Sequence, residues 1–102
     1  MKILITGAGG MVGRALVAHG ASRGDEVVAL EREHLDITKP DDVRATFERE
    51  RPDTVVNCAA WTDVDGCELN PERALSINAE AVEILATHSR LVNASFVTIS
   101  TD

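Results

Sequence analysis

The 102-residue chain contains no tyrosine, and its only aromatic residues are one tryptophan and two phenylalanines. A hydrophobic core must therefore be built from aliphatic side chains. Cysteine is also scarce, since only Cys58 and Cys67 are present. Structural zinc sites need more ligands at closer spacing, and small secreted scaffolds carry more cysteines per residue. We expect both thiols to be reduced and no metal to be bound.

The chain has fewer basic than acidic side chains: 10 Lys and Arg against 17 Asp and Glu give a formal net charge of −7. A phosphate backbone repels such a surface, so we expect no nucleic-acid partner. The apolar run at residues 3–5 is too short for a signal peptide, and no run approaches the ~20 residues that span a bilayer. We therefore expect a cytoplasmic protein without membrane contact, of a length that suits one small domain.

Short apolar, β-branched segments alternate with segments of helical periodicity along the whole chain. This alternation predicts an α/β fold, a three-layer αβα arrangement of the Rossmann type with a parallel sheet. We expect the four strands in the spatial order 3-2-1-4. The strands are predicted at residues 2–6, 26–30, 54–57 and 95–99, and the helices at residues 11–22, about 40–50 and about 70–88. The first helix is expected to bury Met11, Val12, Ala15, Leu16 and Ala18.

Three glycines at a spacing of three residues join the first predicted strand to the first predicted helix. Gly7 permits a tight turn, Gly10 leaves room where a pyrophosphate would press on the backbone, and Gly13 lets the helix pack close to the sheet. The start of the helix adds the N–H groups of Met11 and Val12 and the positive end of the helix dipole. The pattern predicts a dinucleotide-binding loop, and a turn needed only for packing is the alternative.

The second half of such a site is an acid at the end of the second strand. Glu31 stands there, 18 residues after Gly13, and its carboxylate would accept hydrogen bonds from the adenosine ribose. Arg32 follows directly, and its guanidinium would instead pair with a 2′-phosphate. The two residues favour opposite cofactors, so the choice between NADH and NADPH stays open. Asp36 would accept a hydrogen bond from the adenine amino group while Ile37 lies against the ring; Asp36 as a turn residue is the alternative.

The fourth strand would leave a bare outer edge if the sheet ended there, and sheet edges are usually paired or covered. The chain also stops at the carboxyl end of that strand, where the ligand sites of α/β proteins lie. We therefore expect residues 1–102 to be the N-terminal part of an NAD(P)-binding Rossmann domain. The substrate domain is expected to lie outside this chain.

Five segments of the chain together resemble the extended short-chain dehydrogenase/reductase family. They are the glycine loop, Leu35-Asp36-Ile37-Thr38, residues 52–65 (PDTVVNCAAWTDVD), Asn78-Ala79 and Ser100-Thr101-Asp102. Within it they are similar to the enzymes that reduce the 4-keto group of a dTDP-sugar on the way to dTDP-L-rhamnose. The likeness covers essentially the whole chain. It departs at Cys58, where the family usually has Ala, and at Trp61, where it often has Tyr or His.

The resemblance implies roles for further residues. It implies that NADPH or NADH contacts Ala59, Ala60, Thr62 and Asn78, and that the dTDP-sugar contacts Thr62, Val64, Asp65, Thr101 and Asp102. Thr101 would be the hydroxyl member of the catalytic triad. Its family partners are a Tyr and a Lys four residues apart on the next helix. The chain has no Tyr, and its only lysines are Lys2 and Lys39, so we expect it to be inactive alone and any homodimer to form through regions outside it.

The residues by themselves leave several alternatives open. Asn57 either lies near the edge of the sheet where a ligand binds or is a turn residue. Asn78 either bridges its helix to a strand loop or is a partly exposed helical Asn. Thr101 caps a following helix if it is not catalytic. At the level of the whole protein, two rivals remain. One is a sugar-nucleotide epimerase or dehydratase of the same family, and the other is a non-catalytic dinucleotide-binding regulatory subunit.

Overall fold

The computed structural model describes residues 1–59 and 71–99. In these segments every predicted strand and helix is present, with two ends displaced: the fourth strand ends at Thr98, and the last helix runs on to Leu91. The strands are β1 (Lys2–Thr6), β2 (Glu26–Leu30), β3 (Thr54–Asn57) and β4 (Ser95–Thr98), and the helices are α1 (Met11–Ser22), α2 (Pro40–Glu50) and α3 (Pro71–Leu91).

The four strands form one parallel sheet in the order β2-β1-β3-β4. The Rossmann-type α/β arrangement is confirmed, but the expected order 3-2-1-4 is wrong. The third strand pairs with β1, from Ile3 opposite Thr54 to Thr6 opposite Asn57, and not with β2. The order of the strands reverses at β1, and the ligand crevice of an open α/β sheet lies at such a switch point.

The reason for this order lies in the two faces of the sheet. Crossovers between parallel strands are right-handed, so a chain that reverses direction at β2 places its next helix on the opposite face. The apolar residues of α2, Val43 and Phe47, are fully buried on that face against Leu4 and Val55 at the centre of the sheet. Helix α3 packs beside α2 and adds Leu85 to the same cluster. A third strand outside β2 would have left this apolar surface uncovered.

Helix α1 packs on the other face, against β1 and β2. Its buried residues are Gly13 and Gly20, seven positions apart on one side of the helix. A Cβ on Gly20 would lie 2.9 Å from Cγ2 of Val27, so the helix approaches the sheet through its glycines.

The expected inner face of α1 is therefore largely wrong. Met11 and Val12 are 89% and 41% exposed, Ala15 and Ala18 are exposed, and Leu16 is half-buried. The pattern of apolar side chains predicted the wrong buried face of α1, because glycine has no side chain and does not contribute to a hydrophobic pattern.

Helix α2 begins at Pro40, in agreement with the predicted range of about 40–50. Lys39 is the N-cap residue in extended conformation, Pro40 occupies the first turn, and Asp41 and Asp42 complement the positive end of the helix dipole. Among residues 1–59 and 71–99, no helix has both the length and the apolar composition needed to cross a membrane.

Candidate functional site

The glycine loop at the carboxyl end of β1 is held by main-chain contacts. Gly7 has φ +70°, and a Cβ there would lie 2.6 Å from the carbonyl carbon of Cys58 and 2.7 Å from Cα of Ala59. A Cβ on Gly13 would lie 2.8 Å from Cα of Ala8 and would also collide with the Gly7 carbonyl oxygen. Both positions therefore require glycine. They bring the loop, the start of α1 and the turn after β3 into direct contact.

The N-terminus of α1 faces outward without a side-chain cap. Gly10 is the N-cap residue, no acidic residue occupies the first turn, and Gly10 itself is exposed. A Cβ on Gly10 would have the Gly7 carbonyl oxygen as its nearest neighbour, at an ordinary 3.7 Å. The space above Gly10 is thus open. A helix N-terminus with unneutralised N–H groups at an open surface is suited to binding a phosphate.

Glu31, at the end of β2, reaches back to the glycine loop. Its carboxylate lies against Gly9: a Cβ on Gly9 would lie 2.9 Å from Cδ of Glu31 and collide with Oε1. Gly9 could not be identified from the sequence, because the motif assigns functions only to the glycines spaced three residues apart. Contact with a side chain 22 positions away has no local signal.

Asp36 forms a turn with the residue two positions on. Its Oδ1 accepts hydrogen bonds from the hydroxyl of Thr38 at 2.6 Å and from the Thr38 N–H at 3.0 Å. These two bonds, with smaller contributions from the positive charges of Lys39 and Arg32, hold the pKa of the Asp36 carboxyl below its ordinary value. Asp36 is therefore ionised and remains an acceptor with lone pairs to spare.

Two adjoining clefts open at this edge of the sheet. The first, of about 480 Å³, brings together seven of the residues predicted from the sequence: Gly7, Gly10, Arg32, Asp36, Ile37, Ala59 and Asn78. The second, of about 570 Å³, is lined by Gly7, Gly9, Gly10, Glu31, Arg32 and Glu33. Both volumes lie in the range of small-molecule sites. Met11, Val12 and Gly13 line neither cleft: the first two are exposed at the start of α1, and Gly13 is buried beneath the loop.

The first cleft also contains residues that sequence reasoning missed. Besides the seven, it is lined by Thr6, Leu35, Thr38, Cys58, Ile77 and Ala81. The helical periodicity of α3 places Ile77 and Ala81 on the same side of the helix as Asn78, which is the signal that would have found these two residues. Burial raises the pKa of the Cys58 thiol, so this residue is an uncharged wall of the cleft.

Asn57 ties together the strands beneath the cleft and is 2% exposed. Its Oδ1 accepts hydrogen bonds from the hydroxyl of Thr6 at 2.6 Å and from the N–H of Ala59 at 3.0 Å. Its Nδ2 donates to the hydroxyl of Thr98 at 3.1 Å. The amide thus spans β1, β3 and β4 and fixes the turn at Ala59. Both roles left open by the sequence are observed: Asn57 lies beneath the cleft at the carboxyl end of β3, lining neither cleft, and its bond to the N–H two residues on is that of a turn residue.

Several predicted site residues lie outside the described residues: Ala60, Thr62, Val64, Asp65, Thr101 and Asp102, together with Asp63, Trp61 and Cys67. Within the described segments, three side chains of metal-ligating type cluster, since ligand atoms of Glu31, Glu33 and His34 lie within 4.8 Å of one another. The Nδ1 atom of His34 accepts the N–H of Glu31 at 3.0 Å. The expectation that no metal binds stays a prediction.

Comparison with known proteins shows the family to which the chain belongs. The family model described as the RmlD substrate binding domain matches residues 1–102. The chain belongs to this family. It is 48% identical over 99 residues to the dTDP-4-dehydrorhamnose reductase of Streptomyces griseus, which covers 97% of this chain and 33% of that protein.

Solved structures give the same result. The fold matches a dTDP-4-dehydrorhamnose reductase from Clostridium acetobutylicum with a TM-score of 0.88 and 41% identity, over 98% of this chain and 36% of that one. A second match is a dTDP-4-dehydrorhamnose reductase from Bacillus anthracis in complex with NADP, with a TM-score of 0.82 and 32% identity, over 93% of this chain and 34% of that one. The chain therefore spans about a third of the length of these relatives.

Proposed function

We propose that this chain is the N-terminal, dinucleotide-binding part of a cytoplasmic NAD(P)H-dependent reductase that converts dTDP-4-dehydrorhamnose to dTDP-L-rhamnose. The observation that carries the proposal is the cleft at the carboxyl ends of β1 and β3. It gathers the glycine loop, the end of β2 and the turn after β3 around one space. The identity to named reductases supports the choice of substrate.

The residues present fit a dinucleotide. The open N-terminus of α1 above Gly10 would receive the pyrophosphate, because its N–H groups and dipole favour negative charge. The adenosine half would lie along residues 31–38, with Asp36 accepting from the adenine amino group and Ile37 against the ring. Ala59 would face the nicotinamide ribose. The cofactor supplies the hydride when bound, and the chain's part is to bind and orient it.

The substrate side of the site is proposed from the family resemblance. Thr62, Val64, Asp65 and Asp102 would line the sugar nucleotide, and Thr101 would hydrogen-bond the keto oxygen. Proton donation would need a Tyr and Lys pair, and these 102 residues contain no Tyr. We infer that the pair lies in a part of the protein outside this chain, together with the substrate domain and any dimer surface, and that residues 1–102 alone do not reduce the substrate.

Steady-state kinetics of the intact protein with dTDP-4-dehydrorhamnose test the proposal. We expect the absorbance of the reduced nicotinamide to fall only when protein, substrate and cofactor are all present. Asp42→Asn, an exposed change on α2 at a residue that lines neither cleft, serves as the matched control and should retain full activity. NAD that stays bound through purification, with no net consumption of reduced cofactor, would instead identify an epimerase or dehydratase. Turnover by residues 1–102 alone would contradict the proposed need for an external Tyr and Lys pair.

A further inference from the structure

The side chain of His34 closes the turn that follows β2. The N–H of Glu31 donates to Nδ1 of His34 at 3.0 Å, and the carbonyl oxygen of Glu31 accepts the N–H of His34 at 2.9 Å. Both main-chain groups of Glu31 are therefore bonded to one residue, once through its ring and once through its backbone. The N–H of Leu35 also donates to this carbonyl oxygen, at 3.1 Å. The ring thus supplies the acceptor that the N–H of Glu31 needs beyond the end of β2.

The hydrogen bond from Glu31 determines which form of the His34 ring closes the turn. Nδ1 accepts an N–H only while it carries no proton, so the neutral ring holds its proton on Nε2. In this form neither ring nitrogen has a lone pair free for a metal ion. Uptake of a second proton at Nδ1 converts this atom from an acceptor into a donor, and the bond to the N–H of Glu31 is then lost.

The surroundings of the ring offer other partners to its protonated form. Carboxylate oxygens of Glu31 and Glu33 lie within 4.8 Å of a ring nitrogen of His34, and an imidazolium donates charge-assisted hydrogen bonds to carboxylates. The neutral ring is thus bonded to the main chain of Glu31, whereas the charged ring has acidic side chains as alternative partners. One proton selects between two arrangements of the turn, which is the basis of a histidine switch.

Histidine is also the group at this turn that ordinarily titrates between pH 5 and 8. The charged groups that border the turn lie on the loop and at the start of α1: Glu31, Arg32, Glu33, Asp36, Lys39 and Arg14. Thr38 lowers the pKa of Asp36 and burial raises the pKa of the Cys58 thiol, which moves both away from this interval. The glycine loop at residues 6–13 has no titratable side chain. A proton taken up at this turn as the pH falls is therefore bound by His34.

The turn that His34 closes forms part of the wall of both clefts. Residues 31–33 line one cleft, and residues 35–38 line the other. Leu35 is 5% exposed and belongs to the hydrophobic core cluster, so the far end of the turn is anchored in the core. Its near end is anchored by β2, and between these anchors the turn is held by the hydrogen bonds of Glu31. Opening it displaces residues from the space proposed for the adenosine half of the dinucleotide.

On the basis of the proposed function, we propose that His34 is a positioning residue for the dinucleotide and acts only in its neutral form. Neutral His34 holds the loop of residues 31–38 in the conformation that lines both clefts. Uptake of one proton at Nδ1 releases the N–H of Glu31, and the loop loses this constraint. Dinucleotide affinity is therefore full above the pH range in which His34 takes up a proton, and it falls as the pH is lowered through that range.

The test is the dissociation constant of NAD⁺ at about pH 8 and at about pH 5.5, measured by calorimetric titration of the intact protein. NAD⁺ is the probe because its pyrophosphate has no proton that titrates in this range, whereas a 2′-phosphate does. We expect the affinity of the unaltered protein to weaken about fivefold at the lower pH, which corresponds to the loss of one hydrogen bond.

Two variants of His34 separate the acceptor from the charge. His34→Asn keeps an oxygen acceptor near the position of Nδ1 but takes up no proton, so it should bind NAD⁺ like the unaltered protein at the higher pH and lose no affinity at the lower one. His34→Ala removes the acceptor and should bind about fivefold more weakly at both pH values. His19→Asn, an exposed change on α1 at a residue that lines neither cleft, is the matched control and should leave the pH dependence unaltered.

The state of the turn is also measured without any ligand, by NMR. The amide proton resonance of Glu31 should shift as the pH falls through the same range in the unaltered protein, and it should stay in place in His34→Asn. The same pH dependence of affinity in His34→Asn as in the unaltered protein, or full affinity of His34→Ala at the higher pH, would overturn the inference. If NAD⁺ binds at no pH while the Glu31 amide still titrates, the turn is as described and the proposed function itself is overturned.

Discussion

On the glycine-loop side of the cleft, the contacts that shape the site are between main-chain atoms. Gly7 and Gly13 lie against the backbone of Cys58, Ala59 and Ala8. On the side formed by residues 31–38, the contacts involve side chains: the Glu31 carboxylate on Gly9, and the Asp36 carboxylate with Thr38. Main-chain atoms next to a hydrogen-bonded sheet cannot move aside, whereas side chains can adopt other rotamers.

This difference implies two kinds of response to mutation. A substitution on the glycine-loop side should have an all-or-none effect, either on folding or on binding. A substitution on the side of residues 31–38 should have a graded effect on affinity, cofactor choice or protonation.

Gly7→Val should destabilise the fold by about 4 kcal/mol or more, because the residue has φ +70° and its Cβ would collide with the backbone at Cys58 and Ala59. The measurement is the midpoint of urea unfolding of the intact protein followed by circular dichroism. Gly24→Ala is the control: φ is also positive there, at +82°, but a Cβ has no atom within 4 Å, so only backbone strain is added. Equal losses in the two variants would mean that the contact with the turn after β3 contributes nothing.

Gly10→Val should abolish dinucleotide binding while changing the free energy of unfolding by only about 1 kcal/mol, the cost of a poor N-cap residue. The space above Gly10 is open in the structure, and the new side chain would enter the position proposed for the pyrophosphate. Calorimetric titration with NADH is expected to show affinity weakened about 100-fold or more. Unchanged affinity would refute the proposed position of the pyrophosphate.

Asn57→Ala should cost about 2–4 kcal/mol, because it leaves the buried Thr6 hydroxyl and the half-buried Ala59 N–H without their acceptor. Thr98→Val, the matched control, removes only the bond to Nδ2 at the exposed end of the network and should cost about 1 kcal/mol or less. Chemical denaturation of both variants gives the comparison. If they lose the same stability, Asn57 does not link the loop to the turn.

Thr38→Val should raise the pKa of Asp36 towards its ordinary value, since it removes the hydroxyl that contributes most to the lowered pKa. Lys39→Gln should raise this pKa less, because Lys39 acts only through its charge. A carboxyl group with a lowered pKa in the folded state stabilises the fold above its ordinary pKa, and this stabilisation is lost as pH falls through the lowered value. The Thr38→Val variant should lose less stability over that acidic window. The pKa is measured by NMR titration of the Asp36 carboxyl carbon, and no change in it would contradict the assignment.

Much of the site could be predicted because local sequence determines it. The spacing of Gly7, Gly10 and Gly13 after a β-branched strand specifies a turn and a helix start through backbone sterics alone. The strand order could not be predicted, because the choice between pairing with β1 or β2 depends on which face buries Val43 and Phe47. The contact of the Glu31 carboxylate with Gly9 could not be predicted from the sequence either, since it joins two segments through a side chain and has no periodic pattern.

The central position of β1 also bears on how the protein is made. Of the four strands, β1 is synthesised first, yet it needs β2 on one side and β3 on the other. Until residue 57 has left the ribosome, one edge of β1 is unpaired and its apolar side chains are accessible to chaperones. The glycine loop also reaches its final conformation only after β3 has been synthesised, because Gly7 lies against Cys58 and Ala59. A nascent chain therefore acquires a rigid glycine loop only after β3 has been inserted, and long-range parallel pairing of this kind is slow.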